Sequence, residues 1–390
     1  MPSAEKLSAL KRQPLWVHAV SVGEVQAASA LIKELRADGL NAPIVLSTTT
    51  ETGKAMAQRL SEGLYDLHIY YPWDSRKYIC SALDKVNPAA FIMVETEIWP
   101  NMLWELQTRK IPVFLANGRI SDRTWERIQK YAIGRKLFKE LFNIFNTLFL
   151  REKLDAVRLK AIGVKEEKLE IAGDLKIDAL LNRISSVSKE RWQKLLYAEK
   201  GPFYIAGSTH TGEDEIVVSA FEKLKKVRPE ARLILAPRHP ERADSIFGQL
   251  KDKFAVCRLS ELTEDFEIVI IDKIGVLFEL YGISEAAFIG GSFTDDGGQN
   301  IQEPVAWGVP VQYGPHMEDF AEASAEFLAS GISHQLNSAD ELADIWIQFA
   351  ENRSYTDEIH GKCRKYFEDR AGAAHKICAA VKRIFTKTEE

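Results

Sequence analysis

The chain has 390 residues, a length that favours two α/β domains over a single compact core. Apolar residues make up 46% and charged residues 27% of the sequence, and these near-average fractions exclude a disordered or fibrous chain. The formal net charge of -5 excludes a general attraction to nucleic acid. Any affinity for an anionic surface must therefore come from a local basic patch.

The cysteines and the hydropathy indicate the compartment. The four cysteines form no CxxC pair, which argues against a zinc knuckle and a disulfide framework; they are Cys80, Cys257, Cys363 and Cys378. No stretch approaches the roughly 18 apolar residues of a membrane span. The polar start, Met1 to Gln13, lacks the apolar core of a signal peptide. We therefore expect a reducing, cytoplasmic setting without a membrane span or export.

Short apolar runs alternate with amphipathic helical patterns, a rhythm typical of parallel sheets with crossover helices. In the first half, the predicted strands lie at 15–20, 42–48, 89–95 and 111–117. In the second half, they lie at 202–208, 231–237, 266–272, 286–292 and 309–314. The pattern predicts two doubly wound, Rossmann-like sheets with a seam in the polar stretch 181–201. The tail from Ser354 reads as helical and can pack back across a lobe.

The first predicted strand ends in a turn that carries two polar side chains, Ser21 and Glu24. They match the S-x-x-E capping box, in which both side chains satisfy free backbone donors of the following helix. Alternatively, Glu24 faces an interlobe cleft and takes a proton from an attacking hydroxyl. From the pattern alone, capping is the simpler interpretation.

Two acidic residues, Glu95 and Glu97, stand at the end of the strand predicted at 89–95. Capping of the next helix, which Pro100 is expected to start, accounts for Glu97 or Asn101. Glu95 is harder to explain structurally. The segment 117–119 is most simply a turn, with Arg119 a lesser candidate for binding an acidic substrate.

Lys176 stands in the segment Gly173-Asp174-Leu175-Lys176-Ile177-Asp178. By itself it reads as a solvated surface lysine. Near a cleft, it can hold a carboxylate or a developing negative charge.

In the second half, several strand ends suggest an anion site. The turn 207–213 offers backbone amides and hydroxyls to an anion. Capping of the next helix by Thr211, with Asp214 three residues on, explains some of these polar residues. His210 is most simply a loop residue. Arg238 is well suited to bind a phosphate. The glycines at 290–298 let backbone approach a phosphate, a helix starting near Ile301 supplies N–H groups, and Glu303 can accept bonds from ribose hydroxyls. Neither a Walker loop nor a GxGxxG fingerprint is present.

The ordered motifs resemble the 3-deoxy-D-manno-octulosonate (Kdo) transferases, inner-membrane enzymes that add Kdo to a lipid A precursor. The resemblance covers nearly the whole chain from Trp16 and depends on WVHAVSVGE, VETEIWPN, GDLKID, GSTHTGE, APRHPER, LYGISEAAFIGGSF and GGQNIQEPVAWGVPVQYGPH. It implies an α/β GT-B fold with an acceptor-binding domain (1–184) and a CMP-sugar-binding domain (185–390). It further implies CMP-Kdo as donor, a lipid A disaccharide as acceptor, and an inverting transfer without metal or cofactor.

The resemblance also assigns roles to residues. Glu24 is then the general base, while Glu95 and Lys176 support the transition state. The residues expected around the CMP moiety are Pro237, Arg238, Gly275, Val276, Leu277, Asn300, Ile301, Gln302 and Glu303. In two places this chain departs from the pattern of many relatives, which have His at Gln299 and Asn-Pro-Leu-Glu at 300–303.

A basic and aromatic segment in the first half is the expected local patch. Its cations are Arg123, Arg127, Lys130, Arg135, Lys136 and Lys139, and its apolar members are Trp125, Tyr131, Leu137, Phe138 and Phe142. Relatives commonly begin with a hydrophobic anchor, whereas about 14 residues precede the first strand here, so we expect a shortened chain or peripheral binding at the cytoplasmic face of the inner membrane. An ordinary amphipathic crossover helix explains the apolar members equally well.

Two other functions are compatible with a two-lobed nucleotide-sugar site. A nucleotide-sugar 2-epimerase needs a similar donor site but no surface for docking an acceptor. A catalytically silent nucleotide-sugar-binding membrane protein would not need Glu24, Glu95 and Lys176. The basic segment argues against the first and the intact polar residues argue against the second.

Overall fold

The structure is a computed structural model that describes residues 10–61, 63–130 and 132–386. It contains two compact units. The first comprises the chain up to Asn182 together with the part from Arg370 onward, and the second comprises Arg183–Asp369. Residues 1–9, which form most of the predicted polar start, and Tyr131 of the basic segment lie outside the described residues.

The first unit is built on a parallel sheet of seven strands in the order β3-β2-β1-β4-β5-β6-β7. These strands are β1 (Leu15–His18), β2 (Ile44–Thr48), β3 (Leu67–Tyr70), β4 (Ala90–Val94), β5 (Val113–Gly118), β6 (Thr147–Leu150) and β7 (Leu169–Ile171). The helices are α1 (Val22–Ala37), α2 (Glu51–Ser61), α3 (Arg76–Val86), α4 (Pro100–Thr108), α5 (Asp122–Lys130), α6 (Ala132–Phe142), α7 (Lys153–Ala161) and α8 (Leu175–Ser185). The central strands are continuous apolar runs because helices cover both faces of the sheet; β4, for example, is buried along its whole length.

The second unit repeats this architecture with seven parallel strands in the order β10-β11-β9-β8-β12-β13-β14. These are β8 (Phe203–Thr209), β9 (Arg232–Pro237), β10 (Val256–Arg258), β11 (Ile268–Ile270), β12 (Ser284–Ile289), β13 (Val311–Tyr313) and β14 (Ser333–Gln335). Its helices are α9 (Lys189–Leu195), α10 (Glu213–Val227), α11 (Ala243–Leu250), α12 (Leu277–Tyr281), α13 (Gln302–Ala306), α14 (Ala321–Ala329), α15 (Ala339–Glu351) and α16 (Arg353–Glu368).

The final helix, α17 (Ala373–Thr386), belongs to the first unit and packs against α1. Its apolar face shares one buried cluster with that helix; the buried residues of this face are Ala373, Ala374, Ile377, Cys378 and Val381. Lys382 adds an ion pair of 2.7 Å to Asp38 at the end of α1. In the part of the chain that the structure describes, no helix combines the length and apolar character that crossing a bilayer requires.

Every strand predicted from the sequence is present, and the strands that the prediction missed are mainly edge strands. β3, β7, β10 and β14 end the two sheets, and β6 lies next to an edge. Edge strands are short and partly exposed, so they lack the continuous apolar run that reveals a central strand. β7, for example, is half-buried only at its first residue.

Candidate active site

Glu24 and Glu95 lie at the ends of two neighbouring strands of the first sheet. β1 and β4 are adjacent, and the strand order runs outward from them in opposite directions. The carboxyl ends of two such strands form the topological switch point, where open α/β sheets bind their ligands. Glu24 lies in the first turn of α1, directly after β1, and Glu95 directly follows β4. The fold therefore brings both predicted carboxylates to one edge of the sheet.

The turn that carries Glu24 is a helix cap. Ser21 is the N-cap of α1, and its Oγ accepts a hydrogen bond of 3.3 Å from the Glu24 N–H. Glu24 Oε2 accepts from the Val20 N–H at 2.6 Å, while Oε1 accepts from the Ser21 hydroxyl at 3.0 Å. The Ser21 half of the predicted capping box is confirmed, while the Glu24 carboxylate accepts from the Val20 N–H, one residue before the N-cap, in place of the N-cap N–H. Capping does not exclude catalysis, because these bonds fix the carboxylate in one orientation at the switch point.

Glu24 has a raised proton affinity. Only 4% of the residue is exposed. Burial raises the pKa of Glu24, and the negative charges of Glu95 and Glu97 raise it further, while the hydrogen bonds from Val20 and Ser21 oppose the shift. A raised pKa makes the carboxylate a stronger base than an exposed one, as proton abstraction requires.

Lys176 pairs with Glu95 and lies beside the turn of Glu24. Its Nζ is 2.5 Å from Glu95 Oε1, with 33% and 27% of the two side chains exposed. A Cβ built on Gly23 would come within 3.4 Å of the same Nζ. The structure thus brings together the three residues that the resemblance implied to be catalytic.

Glu95 and Asn117 share an uncommon backbone conformation. Each has a φ of 58°, in the left-handed region that side chains other than glycine rarely adopt. Glu95 is held there by a hydrogen bond of 2.8 Å from its N–H to Ala116 O. Such strained residues concentrate at functional sites, where the surrounding structure determines their conformation.

Two side chains hold the start of α8, the helix that carries Lys176. Asn117 Oδ1 accepts from the Leu175 N–H, and Asp174 Oδ1 accepts from the Lys176 N–H, both at 2.9 Å. Asp174 also pairs with Arg151 at 2.8 Å. The prediction of a turn at Asn117 and Gly118 was wrong, because both residues belong to β5. Sequence reasoning missed that Asn117 orients the lysine-bearing helix.

Two other residues of the segment 173–178, Gly173 and Asp178, contact the final helix and the residues just before it. The Asp178 carboxylate accepts from the N–H groups of Gly372 and Ala374, both at 2.7 Å, and so caps the start of α17. A Cβ on Gly173 would lie 2.5 Å from the carbonyl oxygen of Arg370, so only glycine allows this approach. Burial raises the pKa of Asp178, opposed by the two backbone bonds.

The predicted cap of α4 was wrong. Pro100 starts the helix as expected, but neither Glu97 nor Asn101 caps it. The carboxylate of Asp74 does so, accepting from the N–H groups of Asn101 and Met102 at 3.2 and 3.1 Å. Glu97 remains near Glu95; burial and the charge of Glu95 raise the pKa of Glu97. The lesser candidate Arg119 donates its backbone N–H to Thr96 Oγ1 at 2.8 Å.

The residues expected around CMP lie on the loops and helices that follow the strands of the second sheet. Pro237 is the buried last residue of β9, and Arg238 directly after it is exposed. Among the described residues, no hydrogen bond or ion pair engages the Arg238 side chain, which leaves the guanidinium available to an anion. Gly275, with a φ of 93°, and Val276 precede α12, which begins at Leu277.

The segment 300–303 begins a short helix, α13. Asn300 Oδ1 accepts from the Gln302 N–H at 2.9 Å, and Ile301 is fully buried. Glu303 Oε1 pairs with Arg183 at 2.9 Å. Burial raises the pKa of Glu303, and Arg183 opposes that shift.

The loop after β12 already binds a carboxylate of the protein. Glu213 accepts four backbone bonds of 2.7 to 2.9 Å, from the N–H groups of His210, Gly291, Ser292 and Phe293. The expectation that the glycines at 290–291 present backbone to a phosphate was wrong for these amides. Gly290 is instead required by packing, because a Cβ there would lie 2.4 Å from Ser208 O.

The capping prediction for the turn 207–213 was also wrong. Gly212 precedes α10, and no side chain caps this helix. Asp214 instead accepts from Thr209 Oγ1 at 2.6 Å and pairs with Arg242. Within the described ranges, no group of three or more His, Cys, Asp or Glu side chains is arranged to hold a metal ion.

The two units, each a parallel seven-stranded sheet with helices, define a protein of GT-B fold. A UDP-GlcNAc 2-epimerase from Neisseria meningitidis, bound to UDP-GlcNAc, has a TM-score of 0.62 at 15% identity and covers 96% of this chain and 100% of its own. A glycosyltransferase from Rickettsia africae has a TM-score of 0.54 at 13% identity, covering 96% and 99%. Similarity at these identities concerns the fold alone.

Sequence relatives identify the family. The family model described as 3-Deoxy-D-manno-octulosonic-acid transferase (kdotransferase) matches residues 3–179. The 3-deoxy-D-manno-octulosonic acid transferase of Haemophilus influenzae is 35% identical over 342 residues, which are 85% of this chain and 77% of its own. That of Aquifex aeolicus is 30% identical over 329 residues, 84% and 83% of the two chains. The chain therefore belongs to the 3-deoxy-D-manno-octulosonic acid transferase family.

A longer relative shares the same region. A bifunctional glycosyltransferase/methyltransferase of Fusobacterium nucleatum is 30% identical over 383 residues, and the chain spans 58% of its length. Because the sheets of the epimerase and of the transferases are alike, the sequence relatives rather than the fold assign this chain to the transferases.

Proposed function

We propose that the protein transfers Kdo from CMP-Kdo to the glucosamine disaccharide of a lipid A precursor, in the synthesis of the lipopolysaccharide core. The observation that carries this proposal is the buried Glu24 carboxylate, fixed by its cap and placed beside the Glu95–Lys176 pair. The motifs that hold these residues are those through which the sequence resembles the family.

In the proposed reaction, Glu24 takes the proton of the attacking acceptor hydroxyl. The hydroxyl oxygen forms the new bond to the anomeric carbon of Kdo, and the bond from that carbon to the phosphate oxygen of CMP breaks. Attack on the face opposite the leaving group inverts the configuration. The raised pKa of Glu24 supports this role, because it increases the tendency of the carboxylate to accept the proton.

Lys176 supplies the positive charge of this site. Its amine can hold the Kdo carboxylate or a negative charge that develops in the transition state. Glu95 keeps the amine in place through their 2.5 Å contact. The pair is therefore an orienting unit, in which Glu95 acts through Lys176.

The second unit supplies the proposed donor site. Arg238 is available to the single phosphate of CMP-Kdo. The segments 275–277 and 300–303 lead into α12 and α13, two helices that contact each other. One phosphate diester needs little neutralisation, so we propose a transfer without metal. Exhaustive chelation of divalent cations tests the proposal that no metal is needed. Unchanged turnover after chelation supports it. Loss of activity that added divalent cations restore would contradict it.

We further propose that the exposed cations of the basic segment contact an anionic membrane surface. Most aromatic members of the segment pack inward: Phe142 is fully buried, and Trp125 and Phe138 lie against the core of the first unit. The cations are exposed, and three of them border a depression of about 430 Å³ next to the end of α7. Its lining consists of Arg135, Lys136, Lys139, Lys160 and residues 161–163. This arrangement supports peripheral binding at the cytoplasmic face of the inner membrane through charge more than through apolar insertion.

The experiment that tests the activity measures Kdo transfer from CMP-Kdo to a lipid A precursor in detergent, with the intact protein and with Glu24→Gln. Transfer by the intact protein and its loss in the variant support the proposal. If CMP is released but no lipid is glycosylated, CMP-Kdo stands as the donor and the proposed acceptor is wrong. No turnover of CMP-Kdo would overturn the proposed function.

A further inference from the structure

An aspartate–histidine pair lies at the carboxyl edge of the second sheet, outside the residues that the family resemblance assigns. His210 Nδ1 is 2.9 Å from Asp296 Oδ2. Thr294 Oγ1 donates to the same aspartate at 2.6 Å, which holds the carboxylate in place. The His210 side chain is 17% exposed and that of Asp296 is 47% exposed. A carboxylate on one ring nitrogen fixes the orientation of the imidazole and directs the other nitrogen elsewhere.

The other ring nitrogen has no partner. His210 Nε2 is buried and makes no hydrogen bond within the described part of the chain. A buried nitrogen without a partner is destabilising, so it needs an explanation beyond packing. The contact with Asp296 accounts for Nδ1 but leaves Nε2 unexplained.

Gly291 keeps a small space open next to this nitrogen. A Cβ on Gly291 would meet His210 Nε2 at 3.4 Å and Gln299 Nε2 at 3.5 Å, so two side-chain nitrogens flank one position above the glycine. Gly291 has a φ of 66°, and its N–H donates to Glu213 at 2.7 Å. Glu213 also accepts from the His210 N–H at 2.8 Å. The same carboxylate therefore ties together the backbone on both sides of the space.

The strand order places this space at the second switch point. β8 and β12 are adjacent, and His210 follows β8 while Asp296 and Gln299 follow β12. Arg238 is close by, since its N–H donates to Thr209 O at 3.0 Å, one residue before His210. A guanidinium and an imidazole are thus presented at the edge where an α/β sheet binds a nucleotide phosphate.

We propose that His210, protonated on both ring nitrogens, donates its Nδ1–H to Asp296, its positioning residue, and its Nε2–H to the phosphate oxygen that leaves with CMP. This inference rests on the proposed function. When the anomeric carbon–oxygen bond breaks, its electron pair stays on that phosphate oxygen, and the histidine stabilises the resulting charge by a hydrogen bond. The proton of the acceptor hydroxyl goes to Glu24, and the new carbon–oxygen bond completes the transfer.

Two substitutions of His210 test the contacts of its two ring nitrogens independently. His210→Gln keeps an N–H donor near the position of Nε2 and loses the contact of Nδ1 with Asp296. His210→Asn keeps a donor for Asp296 and loses the one at Nε2. We expect His210→Gln to retain kcat within about tenfold and His210→Asn to lose on the order of 100-fold, the lower end of the range for a proton-donating side chain. KM for the lipid acceptor should stay within a factor of about two in both, because this residue contacts the donor.

The matched control is the same pair of substitutions at His360, whose Nε2 bonds to Glu285 O at 2.8 Å in the second unit. There, we expect changes in melting temperature without a difference in kcat. Equal rates of His210→Gln and His210→Asn, at any level, would overturn the assignment, and so would a faster His210→Asn. Absence of Kdo transfer by the wild-type protein would instead reject the proposed function, so the two failures are distinguishable.

Discussion

A single hydrogen bond of 2.9 Å joins Asn117 to the helix of the proposed catalytic lysine, from the Leu175 N–H to Asn117 Oδ1, across 58 residues of sequence. Asn117 is 1% exposed and lies one residue before the end of β5, next to the strand that precedes Glu95. The position of Lys176 relative to Glu95 therefore depends on a side-chain amide whose hydrogen bond goes to Leu175 and not to either of these residues.

Asn117→Ala should lower activity without touching the reacting groups. Loss of the acceptor frees a buried N–H at the start of α8 and should cost about 1–2 kcal/mol of unfolding free energy. We expect kcat to fall by about tenfold or more, since small displacements of positioned groups are costly. The control is Asn146→Ala, because Asn146 Oδ1 accepts from the Val113 N–H, also at 2.9 Å, at the opposite end of the same strand. Equal losses of activity in the two variants would contradict a positioning role.

The variant Glu24→Gln should distinguish a role of Glu24 as general base from a role in capping the helix. The glutamine carbonyl can still accept from the Val20 N–H, so stability should change by less than about 1 kcal/mol. The rate of Kdo transfer should fall by about 10²–10⁴, the range for loss of a general base. Ser21→Ala is the control, since it removes the cap hydrogen bond of 3.3 Å and the 3.0 Å bond to Oε1, but leaves the carboxylate and its bond from the Val20 N–H. A variant Glu24→Gln that is as active as Ser21→Ala would show that Glu24 only caps the helix.

The Glu95–Lys176 pair should behave as one unit. We expect Lys176→Met to lose on the order of 100-fold in kcat/KM, comparable to removal of a charge-stabilising donor. Glu95→Gln should lose less, because it only frees the amine. The double variant should be no worse than Lys176→Met, which a double-mutant cycle on kcat/KM measures. Additive losses would mean that Glu95 acts independently of the lysine.

The pH dependence of stability should reveal the raised pKa of Glu24. Because the folded-state pKa is above the unfolded value, the folded protein binds the proton more tightly, and this stabilisation is complete below about pH 4.5. It is lost as the pH rises through the folded pKa. Glu24→Gln stays neutral, so its stability relative to wild type should rise between pH 4 and pH 7 in urea unfolding. The exposed Glu199→Gln is the control; an equal rise there would contradict the role of burial.

Reversing exposed charges should weaken membrane binding. We expect the combined change of Arg123, Arg127, Lys136 and Lys139 to Glu to reduce binding to vesicles rich in anionic lipid by at least tenfold, at about 1 kcal/mol for each cation near the surface. The control reverses four exposed lysines of the second unit, Lys194, Lys226, Lys251 and Lys253. Sedimentation with vesicles at low and high salt measures the effect. Unchanged binding would eliminate the basic segment as the docking surface.

The interior of the fold was predictable from the sequence, and its contacts across long separations were not. β1, β4, β8 and β12 are apolar runs that a local pattern reveals, while edge strands such as β14 lack such a run. The motif turn at Glu24 was predictable because capping is local. By contrast, Glu213 accepts hydrogen bonds from backbone amides 78 to 80 residues away, and Asp74 caps a helix 27 residues later. Local patterns assigned those amides to a phosphate and that cap to Glu97 or Asn101, because they contain no information about distant carboxylates.

The packing of α17 has a consequence for how the protein is made. Asp178 caps α17, and α1 covers its apolar face, so the first unit needs chain segments from before and after the second unit. The second unit is a continuous stretch, Arg183–Asp369, and can fold as soon as it has left the ribosome. The unit whose synthesis starts first is thus the last to be completed. Until α17 has been synthesised, the α1 surface against which it packs stays uncovered.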